Sequence, residues 1–347
     1  MSLREAALVE AARLAAAAFC GQGDRRALLV VTYHRVLETP DPLLPGEPDA
    51  TEFEVQLAAL QRAFNLLPLP EAHARLQSGT LPSRAACLTF DDGYANNCEV
   101  ALPILQRKGV PATVFVATGF LDGGRMFNDT VIEAVRGVRG ELDLRSLGLE
   151  RYVLTDDEAR RRAIDLILTA IKHLEPAERT RRAERIARLA QVEPPSDLMM
   201  TSAQVRTLAE HGIDVGGHTV THPILTRVPL DAARHEISEG KRQLEAIIGR
   251  PLRSFAYPNG RPNQDYTAEH ARLVAEAGFE VGVSTARAAA TRGCDPCQVP
   301  RVPIWGVSVG DKVLRLAAAY REREYLQAVT ATGDALAATA PASPAPR

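Results

Sequence analysis

The chain has 347 residues, 46% of them hydrophobic, enough to bury one large domain with elaborations or two modest ones. Lys and Arg number 41 against 43 Asp and Glu, so no field of one sign spreads over the molecule to gather nucleic acid or anionic lipid. Partners must be recognised by local chemistry, and nucleic acid is not expected among them.

The opening stretch, MSLREAALVEAARLAAAAFC, ends in an alanine-rich run like the core of a signal peptide. Glu5, Glu10 and Arg13 interrupt that core, and the residues before it are not clearly positive. An amphipathic helix packed on the domain is expected within 1–26, with a monotopic membrane contact as the alternative. No run of about 18 uncharged apolar residues occurs, so no membrane-spanning helix is expected. The five cysteines, Cys20, Cys87, Cys98, Cys294 and Cys297, are odd in number and sparse. They fit a reducing compartment, and the expected location is the cytoplasm. The lone CDPC at 294–297 has no second pair to complete a zinc site and reads as incidental loop cysteines.

Seven short apolar or β-branched runs follow in order, at 27–34, 85–90, 112–119, 213–217, 253–258, 279–284 and 298–305, with helical spacing between them. Strands alternating with helices predict a parallel sheet, opening or closing into a barrel-like α/β fold with its chemistry at the strands' C-terminal ends. This domain is expected to run over 27–325. Between the third and fourth runs, about 120 to 200, lies a segment rich in Arg, Glu, Ala and Leu that is too long for a simple crossover. A helical insertion is expected there, its charges reading as solvated faces. Pro229, the apolar stripe Ile237, Leu244 and Ile248, and the stop at Gly249 predict a further helix. The tail, 326–347, ends in ATAPASPAPR and is expected to be disordered.

Two stretches carry chemistry. CLTFDDGYANN places Asp91 and Asp92 side by side directly after an apolar run. Asp-Asp-Gly is a competent turn, but two adjacent carboxylates at a strand end also suit a site that gives one of them a cation. DVGGHTVTHP supplies His218 and His222. A helix is unfavourable there, because two glycines precede, Pro223 follows and Thr219, Val220 and Thr221 are β-branched. On a straight strand the two histidines would stand roughly 13 Å apart, too far for one ion with bonds near 2 Å. The segment must curve. Combined with the aspartates it forms a two-histidine, one-carboxylate set with open positions for water, in which one aspartate binds the ion and the other handles protons.

TFDDG, then HTVTH, then FAYPNG, in that order and strand context, resembles the polysaccharide deacetylase family, the NodB-homology domain of carbohydrate esterase family 4. The resemblance spans about residues 27 to 305. It implies a distorted (β/α)7 barrel with a helical insertion, and a metal-dependent N-deacetylase acting on N-acetylated sugars of a cell-envelope or extracellular polysaccharide. Within the family, VTYHRV and VPRVPI look like the exopolysaccharide and cell-envelope branch. The implied cofactor is a divalent metal, Zn2+ first, with Co2+ or Mn2+ as alternatives. Asp92, His218 and His222 would hold it, Asp91 would be the general base taking a proton from metal-bound water, and the backbone N–H of Asn259 would help bind the oxyanion. Tyr257, Pro258, Asn259 and Gly260 would line the substrate groove. Tyr94, Tyr257 and Trp305 are candidate rings for a sugar face or, equally, for core packing.

The sequence departs from the family's pattern in two places. Ala256 stands where an arginine normally orients the base, and the late Leu-x-His that supplies the general acid is absent, the last histidine being His270. Arg301 and His34, at predicted strand ends on the catalytic side, are the candidates for those roles; a structural histidine is the alternative for His34. Asp129, in RMFNDT of the insertion, could also reach the site. Two rival readings arise, the first of which fails on the order of its residues. GVSVG at 306–310 is a literal nucleophile-elbow motif, although no histidine follows Ser308 as that fold requires. The other is a non-catalytic glycan-binding relic of the deacetylase fold, which the two departures favour and the intact ligand set opposes.

Overall fold

The computed structural model describes residues 2–329, so most of the tail expected to be disordered lies outside the described residues. The chain forms strands β1 (Leu29–Tyr33), β2 (Asn65–Leu66), β3 (Ala85–Phe90), β4 (Thr113–Val116), β5 (Gly140–Asp143), β6 (Arg151–Leu154), β7 (Asp214–Gly217), β8 (Ser254–Ala256), β9 (Val281–Val283) and β10 (Val302–Pro303). Eight of them make one sheet in the order β10-β1-β3-β4-β7-β8-β9, with β2 beside the start of β3 and every pairing parallel. The seven strands of that path fall within the seven apolar runs of the sequence. β1 and β3 are buried along their whole length, which is why they read as continuous apolar runs and not as alternations.

The two ends of the sheet meet. Val302 pairs with Val31 in β1 while Val299, three residues earlier, pairs with Val283 in β9, so the segment 299–303 bridges the opening of a curled, distorted barrel. Arg301 sits between those two pairings, which aims one residue of the closing segment at the strand ends.

Inside the barrel, space is taken by aromatic side chains. A Cβ at Gly216 would stand 2.4 Å from the Phe115 ring and 3.0 Å from the Ser254 carbonyl oxygen, so only glycine lets β7 lie against that ring. Phe115 in turn lies beneath Arg301, its ring centroid 5.7 Å from the guanidinium carbon. The glycine therefore supports the floor of the site as well as the strand.

The insertion is not all helix, as the sequence had suggested. Helices Phe127–Gly137, Asp157–Ile171 and Pro176–Leu189 are joined by the antiparallel hairpin β5–β6. Leu142, Tyr152 and Leu154 point inward from it and the charged residues outward. Two four-residue strands give too short an alternation to stand out among flanking charges. The hairpin closes a separate core with Val131, Ile164, Ile167, Ile171 and Ile186, all buried.

Helix Leu3–Phe19 packs on helix Val309–Ala318 through buried Val9, Ala12 and Ala16, and the Glu5 carboxylate accepts from the Gly310 N–H at 2.5 Å. Ser308 caps that last helix, its Oγ accepting from the Asp311 N–H at 3.3 Å, so the serine of GVSVG is committed to a helix terminus. Among the described residues no helix is long and apolar enough to cross a membrane.

Gly216→Ala is expected to destabilise the protein by about 1–3 kcal/mol through overpacking against Phe115. A thermal melt checks this: Phe115→Leu added to Gly216→Ala should recover part of the loss, whereas a wild-type melting temperature for the single variant would contradict the packing argument.

Candidate metal centre and catalytic cavity

A cavity of about 720 Å³ opens at the C-terminal ends of the strands. β3 delivers two carboxylates to it by a change of backbone hand. Asp91 still follows the strand, its N–H donating to the Tyr33 carbonyl at 3.0 Å, and its side chain faces Arg301. Asp92 is left-handed, φ +77°, which redirects its carboxylate towards the histidines. Adjacent carboxylates thus enter one cavity facing different partners.

The histidine loop curves as the spacing required, by left-handed residues at Thr219 (φ +66°) and His222 (φ +52°). Such a conformation is costly for a β-branched threonine and persists only where its surroundings hold it. Here they do. The Thr219 Oγ1 accepts from the His222 N–H at 3.1 Å, and the Glu236 carboxylate accepts from the N–H groups of Val220 and Thr221, both at 2.8 Å. Gly240 lets helix Leu230–Ile248 approach, since a Cβ there would sit 3.0 Å from the Thr219 backbone.

Asp92, His218 and His222 each bring a ligand atom within 4.8 Å of the others, a cluster of metal-ligating type among the described residues. Each Nε2 lies 3.4 Å from Asp92 Oδ1. The Nδ1 of His218 is 2.7 Å from the Ala256 carbonyl oxygen; as donor it leaves Nε2 with a free lone pair facing Asp92. Burial works to raise the pKa of Asp92, but the imidazoles of His218 and His222, each 3.4 Å from its Oδ1, hold it below the usual carboxylate range. Burial lowers His222 to about 3 against the pull of Asp92, so it is a neutral imidazole. One ionised carboxylate and two imidazole nitrogens, converging with a side left open, are donors that fit a divalent cation.

Asp91, 5% exposed, is gripped by Arg301, 1% exposed, in a two-pronged contact of 2.7 and 2.8 Å. Burial pushes its pKa up, and the Arg301 charge more than offsets that, holding it below the ordinary range. Arg301 also donates to the Ser284 carbonyl at 3.1 Å and to Thr89 Oγ1 at 3.3 Å. An arginine therefore faces this aspartate from the barrel's closing segment, while residue 256 contributes only its carbonyl.

His34 lines the same cavity with its edge open to it, and its backbone carbonyl accepts from Asn97 Nδ2 at 2.9 Å. Desolvation disfavours its charged form, but Asp92, Asp91 and Glu47 outweigh this and raise its pKa. Asn259 is left-handed, φ +59°, and lines the cavity; among the described residues nothing accepts from its N–H. Pro258 and Gly260 are buried and shape that turn from behind.

The proposed rings are placed less favourably. Tyr257 is 1% exposed, stacked on Tyr266 at 3.9 Å, its hydroxyl donating to the Cys297 carbonyl at 2.8 Å. Tyr94 is 3% exposed beneath the Arg35 guanidinium. Both touch the cavity without presenting an open face. Trp305 is 40% exposed, against Arg315 and Arg287. Asp129 does reach the cavity: it is 2% exposed, 3.3 Å from the Tyr94 hydroxyl, and burial raises it to about 7, helped by Asp92 and opposed by Arg35. Sequence reasoning missed Asn97, Glu236 and the insertion residues Lys172 and Arg179, none of which belongs to a motif.

The polysaccharide deacetylase family model matches residues 78–163 and 170–282, more than half of the chain, including both aspartates, both histidines and Asn259 but not His34 or Arg301. YxkH of Bacillus subtilis, whose name assigns it to the polysaccharide deacetylases, is 21% identical over 267 residues, 76% of this chain and 67% of its own. The Streptococcus pyogenes deacetylase PplD, solved in complex with acetate, superposes with a TM-score of 0.56 at 19% identity over 84% of this chain and 99% of PplD. IcaB from Ammonifex degensii superposes with a TM-score of 0.54 at 19% identity, over 85% and 97%. With its motifs, barrel and family match in agreement, the chain belongs to the polysaccharide deacetylase family.

Proposed function

We propose that the protein is a metal-dependent N-deacetylase of a cell-envelope or extracellular glycan, hydrolysing the acetamide of an N-acetylated sugar to acetate and a free amine. The observation that carries this is the meeting, in one cavity, of a three-donor cluster with a separately held carboxylate. Asp92, His218 and His222 would hold the ion, Zn2+ by donor type with Co2+ or Mn2+ as alternatives. When bound, such an ion supplies Lewis-acid polarisation of the acetyl carbonyl and activates water at neutral pH.

The chain's own groups supply the rest. Asp91, kept ionised by Arg301, accepts the proton of the attacking water through a lone pair that the guanidinium leaves unused. The two-pronged grip fixes the carboxylate plane, a positioning role that lysine would not reproduce. The Asn259 N–H faces the charge that develops on the carbonyl oxygen. His34, whose charged form the carboxylates across from it favour, passes a proton to the departing nitrogen. The acetate bound in PplD agrees with acetate as the product.

Asp91→Asn should leave metal content unchanged while acetate release falls by about 10²-fold or more, whereas His218→Ala should lose the ion as well. Bound metal in the wild type with no acetate released from a broad panel of acetylated glycans would favour the non-catalytic glycan-binding reading. His34→Gln should be slow on N-acetyl amides yet keep most of its rate on an aryl acetate, whose leaving group needs no proton. Equal losses on amide and ester would contradict the proton-donor role.

A further inference from the structure

The wall of the cavity built by the insertion carries positive charge that the deacetylation chemistry does not use. Lys172 follows helix Asp157–Ile171, Arg179 comes from helix Pro176–Leu189, and Arg261 follows the Asn259 turn; all three line the cavity. Among the described residues none of the three forms an ion pair; of the other cavity arginines, Arg301 and Arg35 pair with Asp91 and Asp129, and Arg287 lies over the Trp305 ring. Of the acids around the cluster, Asp265 is 3% exposed and engaged by the Arg261 backbone N–H at 2.9 Å, Glu175 caps the helix that carries Arg179, and Asp165 lines the same cavity without forming an ion pair with any of the three cations.

Arg179 is 4% exposed, an uncommon state for an arginine without a carboxylate. Its guanidinium stacks 4.3 Å over the Phe127 ring and donates one hydrogen bond, to the His222 carbonyl at 3.1 Å, while its Nε is buried without an acceptor. The charges also feel one another. Burial lowers the pKa of Lys172, and Arg261 and Arg179 lower it further against the pull of Asp265. Like charges from three separate elements meet at one cavity, Arg179 buried, Lys172 half-buried and Arg261 exposed, and an anion among them relieves their repulsion.

We propose that Lys172, Arg179 and Arg261 bind a phosphate carried by the substrate, so that the enzyme acts on a phosphate-bearing N-acetylated saccharide and not on a neutral glycan. A phosphate offers several acceptor oxygens to a lysine and two arginine forks, which matches three donors converging from different directions. Because Arg179 is bonded to the loop that carries His222, the phosphate site adjoins the metal centre, and the acetamide and the phosphate belong to the same or neighbouring sugar units. The substrate assignment rests on the deacetylase reading; the anion site itself does not and is tested without turnover.

The metal-loaded protein is melted with N-acetylglucosamine 1-phosphate and with N-acetylglucosamine at equal ionic strength. The phosphate is expected to raise the melting temperature by about 2–4 °C at a few times its Kd, with the neutral sugar much weaker and the difference shrinking at high salt. Lys172→Ala/Arg261→Ala should abolish the difference, and Lys172→Arg should retain it. In acetate release, the kcat/KM ratio of phosphorylated to neutral sugar should fall about tenfold or more in the double variant. An N-acetylglucosamine diphosphate on a short prenyl chain distinguishes the source. A larger effect than the soluble phosphate identifies a lipid-carried substrate, and an equal one a soluble sugar phosphate. No preference for phosphate in the wild type, or the same preference in the double variant, overturns the site. A phosphate-specific shift with no acetate release from any sugar overturns the deacetylase reading and leaves the anion site standing.

Discussion

Two carboxylates adjacent in sequence and both more than nine-tenths buried cannot both remain ionised unless each has a polar partner of its own. The architecture around Asp91 and Asp92 supplies this. Asp91 faces Arg301, which arrives from the segment that closes the barrel; Asp92 faces two imidazoles from the loop after β7. Separating the partners separates the two groups: one carboxylate is satisfied by a fixed guanidinium, and the other stands with two imidazoles in the three-donor cluster. The left-handed turn at Asp92 is the backbone expression of that division.

That geometry is held in place by parts of the fold that look unremarkable one by one. Gly216 makes room for Phe115, and Phe115 floors Arg301. Glu236 and Gly240, on a single helix, hold the strained loop that presents both histidines. The Ala256 carbonyl sets which nitrogen of His218 faces the centre. Substitutions at these positions would act on chemistry through geometry, without touching substrate.

Much of this was legible in the sequence, for a physical reason. Parallel strands buried on both faces leave unbroken apolar runs, so the seven strands of the barrel path stand out. The need for curvature between His218 and His222 followed from the reach of a metal bond, and the loop does curve. Arg301 and His34 could be named from their position at strand ends, and both face the cavity, outside the region that the family model matches. What was illegible depends on long-range packing. The β5–β6 hairpin is too short to show an alternation among charges. The burial of Tyr257 comes from stacking on Tyr266, which no local pattern announces. Lys172 and Arg179 sit in helices whose many arginines are mostly solvated, and only tertiary structure tells the cavity-facing pair from the rest.

The proposed chemistry depends on the placing of one ion, and a crystal structure of the metal-loaded protein, with anomalous data collected at the metal's absorption edge, tests that most directly. The expected result is a single peak bonded to Asp92, His218 and His222 at about 2.0–2.2 Å, with Asp91 still paired to Arg301 and outside the coordination sphere. A peak bonded to Asp91, or a metal that occupies some other part of the chain while these three residues stay apart, would contradict it.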